Sequence, residues 1–381
     1  MTIFRFFNPT RIIFGAGSIQ ELDSVLKNDL QAVRPFLITD TSLRRSGLCD
    51  AVLSRTGDIP LFDAVEPNPR HTTVDAGGDI VREYKPDVIL ALGGGSVLDA
   101  AKGIALLATN PGHIADYEGR AKYTRAPLPV IAIPTTCGTG SEVTWVAVIT
   151  HTGRRFKMSI KGPLLYPAAA LVDPDLLKTL PASLIASTGL DALTHAVEAY
   201  TVRPATFFTD LYAREAIRLI FSHIEGAVAD IGRNRADREG LMKGSLLAGM
   251  AFGNSDVGAV HCIAESVGSL YDMPHGTANS IFLPYIMEFN LPAAPDRFAA
   301  IARLAGIRED NGDAAARALL ARIRELSRKL GIPSFKDSGI LESDFPVIAQ
   351  KSFENNSNPS NAREMTAADY LEILKRAYAS S

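Results

Sequence analysis

Cysteine is scarce in this chain: three residues in 381, Cys49, Cys137 and Cys262, odd in number and far apart. That usage speaks against a disulfide framework and for a reducing compartment, so a cytoplasmic home is the expectation. Nowhere does the sequence hold an uncharged apolar run of about 18 residues, the length a membrane-spanning helix needs. Its opening segment, MTIFRFFN, has no basic stretch followed by an apolar one, so no secretory signal is expected. An excess of positive charge is missing too: 39 basic against 42 acidic residues give a formal charge of −3, which gives no reason to expect nucleic acid or a membrane surface as partner. Internal repeats and low-complexity tracts are absent. What remains is an ordinary globular balance, 46% hydrophobic and 21% charged, with ample material for a core. The length favours two domains.

In the first half, Phe4 to Phe7 and Arg11 to Phe14 read as short strands, and Gly15-Ala-Gly17 ends the second. Ser18 then reads as the cap of a helix through Ile19, Leu22, Val25 and Leu26. Residues 34–40 form a β-rich run ending in Asp40, whose carboxylate suits either a ribose hydroxyl or a helix cap. The clearest buried strand is Pro86-Asp-Val-Ile-Leu-Ala-Leu92, which runs into Gly93-Gly-Gly-Ser96 and a helical Val97–Ala105. Strand, glycine turn and helix present backbone N–H groups to a phosphate. The dinucleotide fingerprint G-x-G-x-x-G is nevertheless lacking, so the turn points to pyrophosphate without naming the nucleotide. A second apolar strand, Pro129–Pro134, leads into Thr135-Thr-Cys-Gly-Thr-Gly-Ser-Glu142, four hydroxyls and two glycines in eight residues. Alone this loop reads as a surface turn; paired with the glycine turn it reads as a ligand loop, because ligands of open α/β sheets gather at the carboxyl ends of strands.

Beyond Lys178-Thr-Leu-Pro181 the pattern changes to helices, over 181–200, 207–230, 236–252, 292–306 and 312–330. The expected division is therefore 1–180 as an α/β domain and 181–381 as a helical one. On the helix ending near Tyr200, residues Leu190, Leu193, Val197 and Tyr200 make a core stripe, while Asp191, His195 and Glu198 fall on a neighbouring stripe. Asp191 and His195 by themselves suit a buried ion pair. His261 and His275, in a segment rich in glycine and small residues, make a divalent-metal shell of one carboxylate and three imidazoles the sharper reading. His71, His113, His151 and His223 occupy ordinary contexts and receive no role, and Cys262 reads as packing.

Several ordered motifs carry a resemblance. They are Gly93-Gly-Gly-Ser-Val-Leu-Asp-Ala-Ala-Lys102, Pro134-Thr-Thr-Cys-Gly-Thr-Gly-Ser-Glu142, Gly189-Leu-Asp-Ala-Leu-Thr-His-Ala-Val-Glu-Ala-Tyr200, Ala248–Phe252 and Pro274-His-Gly276, with Asn358–Arg363 near the end. Through them essentially the whole chain resembles the iron-containing (group III) alcohol dehydrogenases, in the wider group that includes dehydroquinate synthases. The resemblance implies a Rossmann-like dinucleotide-binding α/β domain followed by an all-α metal-binding domain, in a dehydroquinate synthase-like fold. It implies metal ligation by Asp191, His195, His261 and His275, with Fe2+ or Zn2+ as the metal. It implies NAD or NADP contacts from Gly94, Gly95, Ser96, Thr135, Thr136, Thr139, Lys157 and Leu184, and a substrate-side aromatic at Phe252. Asp40 tilts the cofactor towards NAD, since a carboxylate repels a 2′-phosphate, although Thr41 and Ser42 lie beside it.

The implied reaction is hydride transfer between nicotinamide and an alcohol or carbonyl polarised by the metal, in a homodimer formed through the N-terminal strands. One position departs from the pattern: many relatives carry a histidine four residues after the first late ligand, and here it is Glu265. Either it relays a proton or selects a hydrogen-bonding substrate, or it forms a structural salt bridge. A metal-dependent lyase or cyclase of the dehydroquinate synthase type would need basic residues for a substrate phosphate. None occurs between Asp191 and Tyr200 or between Gly253 and Asn290. A non-catalytic NAD- and metal-binding sensor is disfavoured because every ligand type is kept.

Overall fold

The structure is a computed structural model and describes residues 3–380. Two compact units emerge: Phe7–Leu180, and everything from Pro181 onward together with the N-terminal residues through Phe6.

The first unit is built on nine strands: β1 (Arg11–Phe14), β2 (Pro35–Ile38), β3 (Leu61–Phe62), β4 (Val88–Gly93), β5 (Gly119–Arg120), β6 (Val130–Pro134), β7 (Val146–His151), β8 (Phe156–Lys161) and β9 (Ala169–Val172). Six form a wholly parallel sheet in the order β1-β9-β6-β4-β2-β3. Helices α1 (Leu22–Ser24), α2 (Thr41–Arg45), α3 (Asp50–Thr56), α4 (His71–Tyr84) and α5 (Gly95–Thr109) supply the crossovers. Both faces of the sheet are covered, as parallel sheets require. Phe36, Ile38, Ile89, Ala91 and Ala132 join one core, and the alternate residues Leu37, Leu90, Leu92, Ile131 and Ile133 join the other. The two-residue period of a strand thus explains why β4 reads as an unbroken apolar run. The chain winds from β2 to β3 on one side and from β4 to β6 and β9 on the other, so the ends of β2 and β4 flank the point where the winding reverses. Crevices at such points are where α/β sheets bind ligands. A smaller sheet in the order β5-β8-β7 completes the unit.

The second unit is helical: α6 (Ala182–Thr201), α7 (Phe207–Asp230), α8 (Arg235–Phe252), α9 (Ala259–Tyr271), α10 (His275–Asn290), α11 (Pro295–Leu304), α12 (Gly312–Lys329), α13 (Phe345–Phe353) and α14 (Ala367–Ala379). Helix α6 is buried on nearly every side from Ile185 to Thr201, so the expected core stripe is in fact a whole cylinder. A helix with apolar or satisfied polar residues all round belongs at the centre of its unit. Among the described residues no helix is long and apolar enough to cross a membrane.

Two local expectations fail. Phe4 to Phe7 form no strand; Phe4 and Phe6 instead pack their rings on Phe208, and Phe6 also stacks on Tyr212. Apolar alternation there reflects side-chain packing on α7 rather than ladder hydrogen bonds. Ser18 is not a cap either. Gly17, at φ 83°, precedes the helical turn, while Asp173 accepts hydrogen bonds from Gly17 N and Ile19 N at 3.0 and 3.2 Å. A distant carboxylate thus does the work a capping serine would have done.

Candidate metal centre and nucleotide loops

In the helical unit, Asp191 and His195 lie one turn apart on α6, His261 lies in the first turn of α9, and His275 opens α10. One ligand atom from each of the four lies within 4.8 Å of all the others. The His195 and His261 Nε2 atoms are 2.9 Å apart, and Asp191 Oδ1 and His275 Nε2 are 3.9 Å apart. Asp191, His195 and His261 are buried, while His275 is partly exposed and marks the wet side of the cluster. The ring of Phe252, at the end of α8, stacks on His195 with centroids 4.3 Å apart. Gly276 is needed for the approach of α10 to α6: a Cβ there would lie 2.5 Å from the Ser187 carbonyl oxygen.

Glu198, to which sequence reasoning assigned no role, holds this arrangement. Its carboxylate accepts from Gly258 N at 2.8 Å, Val260 N at 2.7 Å and His261 Nδ1 at 2.6 Å. It therefore satisfies donors that the start of α9 leaves unpaired and fixes the His261 tautomer with Nδ1 protonated. Burial pushes the His261 imidazole down, but the hydrogen bond and charge of Glu198, with the charges of Asp191 and Glu265, make the net shift upward. Its i, i+7 spacing from Asp191 was the available signal. Asn279, one turn beyond His275, was also missed; its Nδ2 donates to Asp191 Oδ1 at 2.6 Å. Three nitrogens and one oxygen, largely buried, with a carboxylate behind one imidazole, fit a divalent cation.

Glu265 stands one turn after His261 on α9. Its Oε2 accepts from Asn355 Nδ2 at 2.7 Å, so the partner is an amide rather than the cation of a salt bridge. Cys262 is fully buried, in keeping with a packing role. Leu184, in the first turn of α6, is 39% exposed and belongs to the helical unit.

In the α/β unit, Gly94 precedes α5, and no side chain of its own caps that helix start. Gly95 and Ser96 occupy its first turn. A Cβ on Gly95 would come within 2.4 Å of Thr139, and one on Gly94 within 3.0 Å of Thr136. The glycines therefore let the hydroxyl-rich loop close over the helix start, a reason beyond the access of an anion. Thr135 is buried, with its N–H on the Gly93 carbonyl. The uncapped helix start and the hydroxyls beside it fit a pyrophosphate.

Lys102 and Asp99 of α5 tie the two loops together. Lys102 Nζ donates to Ser141 Oγ at 2.7 Å, Thr144 Oγ1 at 3.2 Å and the Val146 carbonyl at 2.9 Å, while Asp99 accepts from Ser141 Oγ and Val148 N. Burial pushes the Lys102 ammonium down to about 8 and the Glu142 carboxyl up to about 7. Lys157 is buried and donates to Asn68 Oδ1 at 2.7 Å. Asn68, at a left-handed φ of 53°, gave no sequence signal. Asp40 caps α2 through a 2.9 Å bond from Leu43 N to its Oδ1, which satisfies the cap reading.

The family described as "Iron-containing alcohol dehydrogenase" matches residues 9–174, and its C-terminal counterpart matches residues 185–378. The chain is 38% identical to the NAD-dependent methanol dehydrogenase of Bacillus methanolicus, across 98% of this chain and 99% of that one. It is 40% identical to the 1,3-propanediol dehydrogenase of Citrobacter freundii, across 99% of each. A solved 1,3-propanediol oxidoreductase superposes with a TM-score of 0.95 at 39% identity, covering 99% of this chain and 100% of that one.

Replacing Glu198 by Ala removes the acceptor of three buried donors. The expected loss is about 3 kcal/mol or more in urea unfolding, since each stranded donor costs about 1–3 kcal/mol. Unchanged stability, within about 0.5 kcal/mol, would show that the carboxylate organises nothing.

Proposed function

The chain belongs to the iron-containing alcohol dehydrogenase family, and we propose on that premise which of its residues carry each part of the reaction. It is an alcohol dehydrogenase, an oxidoreductase acting on CH–OH groups. The observation that carries the assignment is the gathering of Asp191, His195, His261 and His275 within 4.8 Å. These four hold a divalent metal, with Fe2+ as the family's own ion. When bound, the metal polarises the oxygen of the alcohol or carbonyl, and the nicotinamide accepts or returns the hydride. Glu198 keeps the proton on His261 Nδ1, so that Nε2 presents its lone pair to the cluster. Phe252 covers His195 and keeps that side dry.

NAD is the cofactor, supported by the name of the methanol dehydrogenase relative and by the Asp40 carboxylate, which would repel a 2′-phosphate. Gly94, Gly95 and Ser96 take the pyrophosphate at the start of α5, with Thr135, Thr136 and Thr139 alongside. Lys157 holds a ribose hydroxyl together with Asn68. Small primary alcohols and diols are the substrate class, as the names of the relatives suggest.

The test is reduction of NAD by methanol, by longer primary alcohols and by 1,3-propanediol, with the reverse reaction run on the matching aldehydes. Turnover is expected to vanish after chelation and to return with Fe2+, while His261→Ala neither retains metal nor recovers. Undiminished turnover in the His261→Ala protein would sink the assignment.

Glu265 is proposed to pass the alcohol proton towards solvent, supported by its place one turn from His261 and by the absence of a cationic partner among the described residues. Glu265→Gln should lower turnover by about 100-fold and flatten its pH profile. An unchanged rate and profile would leave Glu265 a structural partner of Asn355.

The working protein is proposed to be a homodimer. Ile3, Phe4, Phe207, Phe208 and Leu211 expose apolar surface in the helical unit, and the Phe4, Phe207 and Phe208 rings touch one another in sequence. Contiguous apolar patches of this kind mark association surfaces. Sedimentation velocity should give a dimer that Phe207→Ser with Leu211→Ser converts to monomer; a monomeric parent, or a double variant that stays dimeric, contradicts the reading.

A further inference from the structure

Asn279 is fully buried on α10, one helical turn beyond His275. Its Nδ2 lies 2.6 Å from Asp191 Oδ1, 3.2 Å from His261 Nε2 and 3.2 Å from His275 Nε2. Three of the four clustered ligand atoms therefore converge on one amide nitrogen. The orientation of the amide is settled by charge: turned over, its oxygen would sit 2.6 Å from a carboxylate oxygen, acceptor against acceptor. With Nδ2 facing the cluster, Oδ1 is buried and has no hydrogen-bond partner among the described residues. A buried amide that leaves its own oxygen unsatisfied is held in place by what its nitrogen does.

We propose that Asn279 is a positioning residue that competes with the metal for its own ligands and so sets how tightly the metal is held. The inference rests on the four-residue metal site proposed above. An imidazole Nε2 has one lone pair. It can accept the amide N–H or bind a cation, but not both. The half-positive NH2 group is thus a weak, tethered rival of the cation, sharing Asp191, His261 and His275 with it. While the amide is engaged, it offsets the mutual repulsion of these acceptors and keeps them assembled. One N–H serves Asp191 and the other is shared between the two rings, so when a cation takes the lone pairs that shared contact is given up. Its loss subtracts from metal affinity.

The experiment compares the parent chain with Asn279→Ala, each stripped by chelator and each loaded with Zn2+ as an air-stable probe. Metal affinity is read by competition with a chromophoric chelator, and unfolding is followed in both states. Removing the rival should tighten Zn2+ binding by about tenfold and slow its release, the equivalent of one or two hydrogen bonds of ordinary strength. It should lower the melting temperature of the stripped protein while leaving that of the loaded protein almost unchanged. A residue that only fills the core would lower both melting temperatures equally and leave affinity as it was. That result, or weaker Zn2+ binding, overturns the proposal.

Should Asn279→Ala be recovered in neither state, Asn279→Val, which removes the amide and keeps most of its volume, carries the same comparison. The stripped protein should lose more stability than the loaded one, and equal losses overturn the proposal. The parent and His261→Ala serve as reference. If both bind the same amount of Zn2+ with the same affinity, the metal-site reading itself has failed. If only the parent binds, and Asn279→Ala binds no tighter, the failure belongs to Asn279 alone.

Discussion

The Glu198 carboxylate, buried between α6 and the start of α9, carries the interaction on which the aspartate–histidine cluster depends. Two of its three hydrogen bonds go to backbone N–H groups at the beginning of α9 and the third to the His261 ring. Helix starts leave several N–H groups without partners, and burying them unpaired would cost several kcal/mol. Glu198 removes that cost and in the same contact orients the His261 ring. Gly258 permits the approach, because a Cβ there would lie 2.9 Å from a Glu198 oxygen. The fold of the helical unit and the chemistry of its centre therefore share one side chain.

The α/β unit solves a comparable problem with a cation. Two loops at strand ends, Gly93–Ser96 and Thr135–Glu142, are brought together by glycines that leave room for threonine side chains. Lys102 then pins the second loop from below, its ammonium surrounded by two hydroxyls and a carbonyl. A buried lysine is costly unless it is fully hydrogen-bonded, and this one is bonded to the segment that must be fixed. The result is a rigid support for groups proposed to face a pyrophosphate. Rigidity matters there, because a loosely held binding group wastes its interaction energy on being ordered.

Much of this was legible in the sequence for simple reasons. A parallel sheet buried on both faces announces itself as continuous apolar runs, and β4 and β6 were found that way. The helices of the second half declared themselves by period, with α7 running from Phe207 to Asp230 as expected. The N-terminal aromatics misled because alternation is equally the mark of a strand and of a segment whose alternate rings pack on a helix. Ser18 misled because the acceptor for its turn came from Asp173, more than 150 residues away. Local rules cannot see a partner at that distance.

By itself the sequence determined which residue types were available and how far apart they stood along the chain. That was enough for the family, the two kinds of architecture and the four side chains that the fold gathers into one cluster, because motifs of glycine, aspartate and histidine at fixed spacing are local statements. Only the tertiary structure decided what surrounds them. It put Glu198 behind His261, Asn279 among three ligand atoms, Asn355 against Glu265 and Lys102 beneath the hydroxyl loop. Each of these contacts joins side chains from different helices or loops. Hydrogen bonding acts over about 3 Å in space, whatever the separation in sequence. The reactive groups could be read from the order of residues; the groups that hold and tune them are neighbours only after the chain has folded.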